Sequence, residues 1–477
     1  MAAEHSAMTA VRGARTTLRY RDLVDRLDGW ADDLRGLDLQ AGSLVALDVV
    51  DATYLAPAHL AVRAAGHVPM LLDPHLAPRR RSALLDASRP ALVMAVQERA
   101  EIDPFASNPR TLPSKAGYLG FTSGTQGTPK GIVSYEPGVM HFAAWEARTI
   151  GLRRGTPVGM ISAPTFEVVF RELFMTLLGG GELVPATSRV RADPSAVIPW
   201  LADHEVEVVH AVPGLATRWL TASPEHPMPF LSWTLFAGEP LHGSQVRAWR
   251  VRAPRSEVIN LYGPSETTLA KFFYHVPPDP SPGIQPVGRP LPDTDLQRLP
   301  LSTPGNNAGK RAFQIGIATP YGSLGYLDGT GTDSDHQVLR REFGRTIFSS
   351  QDIGEIDDAG NLVVLGRLDS RVKRRGVFVD LARIEAAATD VPGVGLSCCV
   401  QTSAATGSAV ALVVESADED IVVRLRRELR GALGPDGPDH VLVVQALPLS
   451  PNAKVDRRAV AGLAETAIRR GPKTGRK

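Results

Sequence analysis

Apolar residues alternate between two spacings over roughly the first 290 positions of the chain. Residues 20–37 and 54–65 carry them at the three-to-four-residue spacing of an amphipathic helix. Residues 44–50 and 91–96 are instead short runs rich in Val, Leu and Ala. Helices that alternate with buried strands predict an α/β fold, in which parallel sheets are layered with helices.

The pattern changes after residue 289. Gly, Pro, Asn and Asp interrupt short strand-like runs over residues 289–345, which predicts a small β subdomain with loops. Beyond a boundary at residues 366–369, a strand, helix, strand pattern includes predicted helices at 381–388 and 421–433. We therefore predict a large multi-subdomain domain over residues 1–368 and a small α+β domain over 369–468. Residues 469–477, which are basic and contain Gly and Pro, are predicted to be a disordered tail.

Composition narrows the class of protein. The 477 residues are 43% hydrophobic and the net charge is +1, so charge predicts neither a nucleic-acid nor a membrane partner. No apolar run reaches the ~20 residues of a membrane span, and no signal peptide is visible at the N-terminus. The two cysteines, Cys398 and Cys399, are adjacent and lie in a predicted buried strand over residues 394–400. Because neighbouring cysteines make a strained disulfide, we expect both to be packing residues in a cytoplasmic protein.

A loop rich in glycine and hydroxyl side chains is the strongest chemical feature. Residues 118–131 read Tyr-Leu-Gly-Phe-Thr-Ser-Gly-Thr-Gln-Gly-Thr-Pro-Lys-Gly. Apolar runs at 118–121 and 132–135 flank the loop, so it is predicted to be a turn between two strands. Glycine lets backbone N–H groups approach a polyphosphate closely, while hydroxyls add donors and Lys130 adds positive charge. The loop is not a Walker A motif, because Pro129 stands where that motif has its second glycine.

Five further segments accompany this loop. They are 18–23 (Leu-Arg-Tyr-Arg-Asp-Leu), 64–74 (Ala-Ala-Gly-His-Val-Pro-Met-Leu-Leu-Asp-Pro), 260–268 (Asn-Leu-Tyr-Gly-Pro-Ser-Glu-Thr-Thr), 366–376 (Gly-Arg-Leu-Asp-Ser-Arg-Val-Lys-Arg-Arg-Gly) and 447–457 (Leu-Pro-Leu-Ser-Pro-Asn-Ala-Lys-Val-Asp-Arg). In this order, the six segments resemble the motifs of the adenylate-forming superfamily, which includes peptide-synthetase adenylation domains, acyl-CoA ligases and luciferases. The last segment is most similar to the peptide-synthetase branch, and we expect a stand-alone form of it.

The resemblance implies an AMP-forming ligase that binds ATP and Mg²⁺. Lys454, Thr122 and Lys130 would be catalytic, Glu266 would hold the metal, and Asp369 would be the hinge on which the small C-terminal domain moves. Tyr262 would stack on adenine and Asp352 would bind the ribose hydroxyls. The implied ATP-binding residues are Thr122, Ser123, Gly124, Thr125, Gly127, Lys130, Asn260, Tyr262, Gly263, Ser265, Asp352 and Arg367.

Two positions depart from the family pattern. Ser350-Gln351-Asp352 stands where the family has Thr-Gly-Asp, so the aspartate is kept but the glycine is lost. Ala453 replaces the glycine beside Lys454. Neither change removes a catalytic group, but both bear on efficiency or on the second half-reaction.

The substrate pocket is less well defined by the sequence. Relatives that activate amino acids have an aspartate for the substrate ammonium where this chain has Glu167, and Arg171 replaces a bulky aromatic residue. Motif alignment places eleven residues at the acid: Phe166, Glu167, Val168, Arg171, Ala211, Leu235, Ala237, Gly238, Leu261, Leu269 and Ala270. Three interpretations stay open. Glu167 binds the amine of an amino acid, which includes β- and non-proteinogenic ones; Glu167 and Arg171, spaced i,i+4, neutralise each other; or Arg171 binds a second carboxylate of the substrate.

The acceptor of the activated acyl group is also open. No carrier domain or phosphopantetheine attachment motif follows residue 457. We therefore expect delivery to the phosphopantetheine thiol of a separate carrier protein, as in nonribosomal peptide and antibiotic biosynthesis. Capture of the adenylate by a free amine, or by coenzyme A, is the alternative.

Overall fold

The structure is a computed structural model that describes residues 6–123, 129–301, 311–328, 338–374, 377–404, 407–418, 420–449 and 454–470. Up to residue 160 its elements are β1 (Thr9–Arg12), β2 (Thr17–Arg19), α1 (Tyr20–Arg35), β3 (Leu44–Val49), α2 (Leu55–Ala64), β4 (Val68–Leu72), α3 (Pro78–Ser88), β5 (Leu92–Val96), β6 (Glu101–Pro104), β7 (Ala116–Ser123), β8 (Pro129–Tyr135), α4 (Glu136–Thr149) and β9 (Pro157–Met160).

Between residues 161 and 290 helices and strands continue to alternate. The elements are α5 (Val168–Gly179), β10 (Glu182–Pro185), α6 (Ser188–Ala192), α7 (Pro194–Asp203), β11 (Val208–Ala211), α8 (Pro213–Ala222), β12 (Trp233–Ala237), α9 (Gly243–Arg252), β13 (Glu257–Tyr262), β14 (Phe272–Val276) and β15 (Arg289–Pro290).

The remaining elements are mostly strands at first and mixed later. They are β16 (Asp295–Leu299), β17 (Phe313–Thr319), β18 (Gly325–Tyr326), β19 (Leu339–Glu342), β20 (Arg345–Ile356), β21 (Leu362–Arg367), β22 (Arg371–Arg374), β23 (Val377–Asp380), α10 (Leu381–Thr389), β24 (Ser397–Ala404), β25 (Gly407–Glu415), α11 (Ile421–Leu433), β26 (His440–Val444) and α12 (Arg457–Arg470).

Two large sheets form the first domain and confirm the α/β prediction. Among the described residues, one has the strand order β15-β14-β13-β12-β11-β9-β10-β1-β2 and the other β18-β8-β7-β4-β3-β5-β6. Their inner strands are mostly parallel, whereas β8, β14 and β15, which lie at an edge or next to one, pair antiparallel. Helices α1, α2, α4 and α5 contribute buried side chains to one hydrophobic cluster that also takes residues from both sheets. These helices therefore lie between the two sheets, as expected for layered α/β packing.

An antiparallel sheet forms the β subdomain, which extends further than the sequence predicted. Strands β16, β17, β20 and β19 follow in that order, and β21 pairs with the second half of the long strand β20. The subdomain therefore continues past residue 345 to Arg367, because β20 is long enough to bind β19 and β21 one after the other.

The C-terminal domain is a three-stranded sheet, β24-β25-β26, with helices on both faces. Cys399 packs with α10 and α11 on one face, and Cys398 packs with α12 on the other. Both thiols are free and buried, so their predicted packing role is confirmed. Strand β24 begins at Ser397 and not at residue 394, because residues 391–394 form a turn closed by the Val394 N–H and the Val391 carbonyl.

Helix α12 continues to Arg470, so Arg469 and Arg470 are helical and not part of a tail that begins at residue 469. Residues 471–477 of the predicted tail lie outside the described residues. No helix in the described ranges is long and apolar enough to cross a lipid bilayer.

Candidate active site

Strands β7 and β8 place the predicted phosphate-binding residues at the tip of a hairpin. Thr122 lies opposite Lys130, and Ser123 lies opposite Pro129. The prediction that strands flank this loop on both sides is therefore confirmed. Gly124, Thr125 and Gly127 lie outside the described residues. The two ends of the hairpin bring a hydroxyl side chain and a lysine to one edge of the sheet.

Glu266 lies beside this hairpin. It belongs to the short 3-10 helix Ser265–Thr267, which follows β13 and also carries Ser265. The Tyr326 hydroxyl donates a 2.9 Å hydrogen bond to Glu266 Oε1, and Tyr326 is on β18, which pairs with β8. Burial raises the pKa of the Glu266 carboxyl, while the nearby charge of Lys130 lowers it. A buried carboxylate of this kind gains from a cation.

The surroundings of Glu266 fit Mg²⁺. The described residues contain no cluster of three or more Asp, Glu, His or Cys side chains that could hold a metal by themselves. Mg²⁺ is usually held in a different way, by one or two carboxylates together with substrate phosphates and water. Glu266, close to the hairpin that is predicted to bind phosphates, could supply the one carboxylate that such a site needs.

The carboxylate that is predicted to bind the ribose lies where three strands meet. Asp352 on β20 is opposite Arg367 on β21 in the antiparallel register. The Tyr262 hydroxyl, at the end of β13, donates a 2.6 Å hydrogen bond to Asp352 Oδ2, and Arg367 Nη1 lies 3.6 Å from Oδ1. Burial raises the pKa of Asp352, while the Tyr262 hydrogen bond and the Arg367 charge oppose this shift. Three predicted ATP-binding residues are therefore in contact.

Asn260 lies two residues before Tyr262 on β13, on the same face of the strand. Its amide Nδ2 donates to the carbonyl of Pro286 at 2.8 Å and to that of Gln285 at 3.4 Å. Its Oδ1 is buried and has no hydrogen-bond partner among the described residues. This oxygen can accept a hydrogen bond from a ligand amino group such as that of adenine.

Gly263 is needed for the close approach of two chain segments after β13. A β-carbon at this position would lie 2.5 Å from the carbonyl oxygen of Leu269 and 2.6 Å from Cα of Ala270. Thr268 and Leu269 have positive φ values of 57° and 61°, which residues other than glycine rarely adopt. The folded-back segment turns the Leu269 N–H toward Glu167, at 3.1 Å from Oε1.

Lys454, from the C-terminal domain, lies at the end of β12. A β-carbon on Gly238 would be 3.7 Å from Lys454 Cε and 3.9 Å from Nζ. The φ of Gly238 is +94°, so this position favours glycine for its backbone as well. The Lys454 charge lowers the pKa values of Glu239 and Asp352 against the effect of their burial. The predicted catalytic lysine is therefore close to the predicted ribose site.

Contacts between the two domains hold Lys454 in this place. Arg218 on α8 pairs with Glu415 and donates to the carbonyl of Leu447, seven residues before Lys454. His242 Nδ1 lies 3.4 Å from Asp390 Oδ1 in a second contact. In this arrangement Lys454 is close enough to the predicted ribose-binding Asp352 for its charge to act on that carboxyl.

Asp369, the predicted hinge, lies in the 3-10 helix Leu368–Ser370 between the domains. Its carboxylate accepts two hydrogen bonds from Arg367, from Nε at 2.8 Å and from Nη2 at 2.9 Å. Because Arg367 also lies beside Asp352, one guanidinium connects the hinge position with the ribose site. The hinge role itself remains a prediction.

A cavity of about 520 Å³ opens beside the end of β12. Six of the predicted substrate residues line it: Phe166, Val168, Arg171, Ala211, Leu235 and Ala237. The other five, Glu167, Gly238, Leu261, Leu269 and Ala270, are not among its lining residues. Leu261, Leu269 and Ala270 are instead buried in the core cluster between the sheets. The cavity is large enough for a small organic acid.

Glu167 is occupied by groups of the protein. It precedes α5, and its Oε1 accepts a 2.5 Å hydrogen bond from the Tyr118 hydroxyl in addition to that from Leu269 N–H. Its charge also favours the cationic form of buried Lys271, whose pKa desolvation lowers to about 7. The carboxylate is thereby directed to β7 and to the segment after β13.

Arg171 differs from Glu167 in its position relative to the cavity and in its hydrogen bonds. It lines the cavity and is only 5% exposed. Its guanidinium lies 5.3 Å from the centre of the Phe142 ring, but its buried Nε and Nη1 have no hydrogen-bond partner among the described residues. The i,i+4 pair with Glu167 is not formed, so the interpretation in which these two residues neutralise each other has no support in the geometry.

The structure also brings residues to the cavity that the motifs did not indicate. They are Asp73, His75, Ile161, Ser162, Ala163, Ser188, Arg189, Arg191, Ala192, His210, Val212, Leu215 and Trp219. Behind them lie two buried acids: Glu146, 3.0 Å from His210 Nε2, and Glu172, which accepts from the Ser162 hydroxyl at 2.8 Å. Burial raises the pKa of Glu172 to about 7. These residues come from separate loops and helices and from strand β11, so the signal in the sequence is the unusual presence of acids in apolar segments.

The fold and the site define an adenylate-forming enzyme, and comparison with known proteins shows the family. A family model described as AMP-binding enzyme matches residues 1–299, which is more than half of the chain. The chain belongs to this family, and its class is that of the AMP-forming ligases. The resemblance found in the motifs is confirmed.

Individual relatives are of the peptide-synthetase and ligase kind. Enterobactin synthase component F of Escherichia coli (strain K12) is 26% identical over 100% of this chain, which corresponds to 40% of that protein. The structure is similar to that of IdnL7, with a TM-score of 0.79, 23% identity and coverage of 98% and 97% of the two chains. It is also similar to the anthranilate CoA ligase AuaEII in complex with anthranoyl-AMP, with a TM-score of 0.81, 16% identity and coverage of 97% and 96%. The chain spans less than half the length of the curated relatives that it matches.

Proposed function

We propose that this protein uses ATP to convert a carboxylic acid into an acyl adenylate and then transfers the acyl group to the phosphopantetheine thiol of a separate carrier protein. The carrying observation is the position of Lys454. It lies against Gly238 at the end of β12, next to Ala237 of the cavity wall, and its charge acts on Asp352 of the ribose site. One cation is thus close to both the acid pocket and the nucleotide pocket.

In the first half-reaction, a carboxylate oxygen of the acid forms a bond to the α-phosphorus of ATP. The bond between that phosphorus and the bridging oxygen breaks, and pyrophosphate leaves with the electron pair. Such a reaction needs positioning and charge stabilisation more than proton transfer. Lys454 stabilises the charge at the α-phosphate, Thr122 and Lys130 bind the outer phosphates, and Asp352 fixes the ribose. Mg²⁺, held by Glu266, would supply charge neutralisation at the phosphates when bound.

In the second half-reaction, the thiolate sulfur forms a bond to the acyl carbon, and AMP leaves as the carbon–oxygen bond breaks. The Lys454 side chain lies against Gly238 in the arrangement seen here. Access of a thiol therefore calls for movement of the small domain, which we assign to the segment at Asp369. A free amine or coenzyme A is the alternative acceptor, and similarity to a CoA ligase favours the latter as second candidate.

An amino acid is the substrate that follows from Glu167, because relatives carry their ammonium-binding aspartate at this place. Tyr118 and Leu269 already hydrogen-bond one oxygen of this carboxylate. An amine would have to share the carboxylate with both of them. The substrate class therefore depends on how Glu167 and Arg171 divide their contacts.

Exchange of labelled pyrophosphate into ATP, measured across a panel of amino, hydroxy, aryl and dicarboxylic acids, tests the first half-reaction. Lys454→Ala should lose exchange by about 10²–10³-fold, as is typical when one charge-stabilising group is removed from a transition state. The exposed Lys115 provides the matched control, Lys115→Ala, which should exchange normally. Full exchange in Lys454→Ala would exclude the role given to this lysine. Mass spectrometry with a carrier protein, coenzyme A or an amine present then identifies the acceptor.

A further inference from the structure

We propose that Arg171 is the specificity-determining residue of the acid pocket and that it binds a second carboxylate of the substrate, distant from the carboxylate that is activated. The inference rests on the proposed function and specifies its substrate class as acids with two carboxylates. It follows from the charge balance of the cavity, from the burial of Arg171 and from the contacts of Glu167.

Arg171 is a buried cation that, within the described ranges, lacks hydrogen-bond acceptors for part of its guanidinium. A buried charge without hydrogen bonds is strongly unfavourable, and arginine does not escape this cost by losing its proton. Arg171 is 95% buried, with two guanidinium nitrogens unpartnered among the described residues. Phe142 contributes only a ring face at 5.3 Å. Nε and Nη1 are enclosed by the protein, so an anionic ligand in the cavity would compensate the charge of Arg171 by approaching its remaining nitrogen, Nη2.

The shape of the Arg171 guanidinium is suited to a carboxylate. Its planar fork of N–H donors matches the two oxygens of a carboxylate, which it binds in a bidentate manner. The unpartnered atoms, Nε and Nη1, belong to two different forks of the guanidinium, and Nη2 completes each of them. Around Arg171 the cavity wall is apolar, with Val168, Leu235 and Ala237. A carboxylate would thus be held by charge and shape in surroundings of low dielectric constant, where the interaction is strong.

The charged residues that line the cavity wall are mostly cationic. Arg189 and Arg191 also line the cavity, against a single lining acid, Asp73. Glu167 is not a lining residue, and its carboxylate is held by Tyr118 and Leu269. Glu172 lies behind the wall, and its pKa of about 7 leaves it substantially protonated at neutral pH. The lining residues therefore carry an excess of positive charge, which favours an acid with an additional negative group.

The two carboxylates of a diacid would lie at different parts of the cavity wall. Ala237 lines the cavity at the end of β12, and the next residue, Gly238, is the one that approaches Lys454. The carboxylate that is activated therefore belongs at this end. Arg171 is on α5, another part of the same wall, so a bound diacid would direct one carboxylate to each cation.

Pyrophosphate exchange with acids matched in length tests the proposal: succinate against butyrate, glutarate against valerate, and aspartate against 2-aminobutyrate. We expect the diacid of at least one pair to have a kcat/KM about 10²-fold or more above its partner, as a buried, paired charge provides. Arg171→Met should remove this preference and improve the monoacid. Arg171→Lys should restore part of it, because the charge is kept but the bidentate geometry is lost.

Thermal unfolding provides a readout that does not depend on catalysis. Without acid, Arg171→Met should unfold at the same temperature as the unaltered protein or higher, since it removes an unpaired buried charge. The preferred diacid should raise the unfolding temperature of the unaltered protein and not that of Arg171→Met. A lower unfolding temperature of Arg171→Met, together with unchanged diacid preference, would assign Arg171 a purely structural role and overturn the proposal.

The outcomes separate this inference from the proposed function. Exchange that prefers monoacids, with a ratio unchanged in Arg171→Met, overturns the inference and leaves acyl adenylation intact. Stabilisation by a diacid that requires Arg171, without exchange for any acid, supports the binding site and overturns adenylation. Exchange of an amino monoacid that is lost in Glu167→Gln but kept in Arg171→Met would make Glu167 the selectivity residue and sink the inference.

Discussion

The Tyr262 hydroxyl donates a 2.6 Å hydrogen bond to the Asp352 carboxylate, joining the end of β13 to β20 across 90 positions of the chain. Both residues are predicted to bind ATP, one by stacking on adenine and the other by accepting from the ribose hydroxyls. The hydrogen bond means that the ring and the carboxylate orient each other before nucleotide binds. Their contributions to ATP binding should therefore not be independent.

A double-mutant cycle on this pair measures the coupling. Tyr262→Phe should weaken ATP binding about tenfold, since a hydrogen bond to a charged group contributes about 1.5–3 kcal/mol. Asp352→Ala should weaken it more, because it removes the ribose contact as well. The double variant should lose less than the sum of the two free-energy changes, as contacting residues do. Titration calorimetry with ATP provides the affinities, and strictly additive losses would show that the hydrogen bond does not orient the site.

Glu266→Gln addresses the metal. A neutral amide is a poorer ligand for a hard dication, so we expect about tenfold more Mg²⁺ for half-maximal pyrophosphate exchange. The fold should be kept, because the amide oxygen can still accept from Tyr326. Tyr326→Phe is the matched control and should change the Mg²⁺ requirement less, since it leaves the carboxylate in place. An unchanged Mg²⁺ dependence in Glu266→Gln would place the metal elsewhere.

Asp369→Pro tests the hinge. Proline fixes φ near −65° and restricts rotation at this position, so pyrophosphate exchange should stay near normal while thiol loading becomes slow. Asp369→Ala serves as control, because it also removes the two hydrogen bonds from Arg367 but leaves φ free. Single-turnover loading of a carrier protein measures the second step. If both variants lose both half-reactions equally, the residue supports the structure and does not act as a hinge.

Glu172 predicts a pH dependence of stability. Its folded-state pKa of about 7 lies above the ordinary value of 4.5, so from about pH 4.5 to 7 the unfolded chain has released a proton that the folded protein keeps. The free energy of unfolding should therefore fall as pH rises through this window, by on the order of 3 kcal/mol in total. Urea unfolding of Glu172→Gln should show a flatter profile. The exposed Glu225 offers the control Glu225→Gln, and a profile equally steep in all three proteins would contradict the assignment.

The order of motifs along the chain determined the family, and the alternation of helical and strand patterns determined the α/β class. The same motifs also predict which residues bind the nucleotide. This was possible because those residues lie in short segments whose local chemistry is specific. Glycine and hydroxyl residues surround Lys130. Tyr262 ends strand β13, and Glu266 follows it by four positions. Helix α11, Ile421–Leu433, has its predicted bounds because its buried apolar residues recur every four positions, at 421, 425, 429 and 433.

Only the tertiary structure decided how the charges of the acid pocket are distributed. Glu167 and Arg171 are four residues apart, and sequence alone permitted them to pair. The partners that orient Glu167 are Tyr118, 49 positions before it, and Leu269, 102 positions after it. Because these contacts depend on the layering of two sheets and on the positive φ of Leu269, no local pattern contains them. These two hydrogen bonds direct Glu167 away from the cavity. Arg171 is left as a buried cation in the cavity wall.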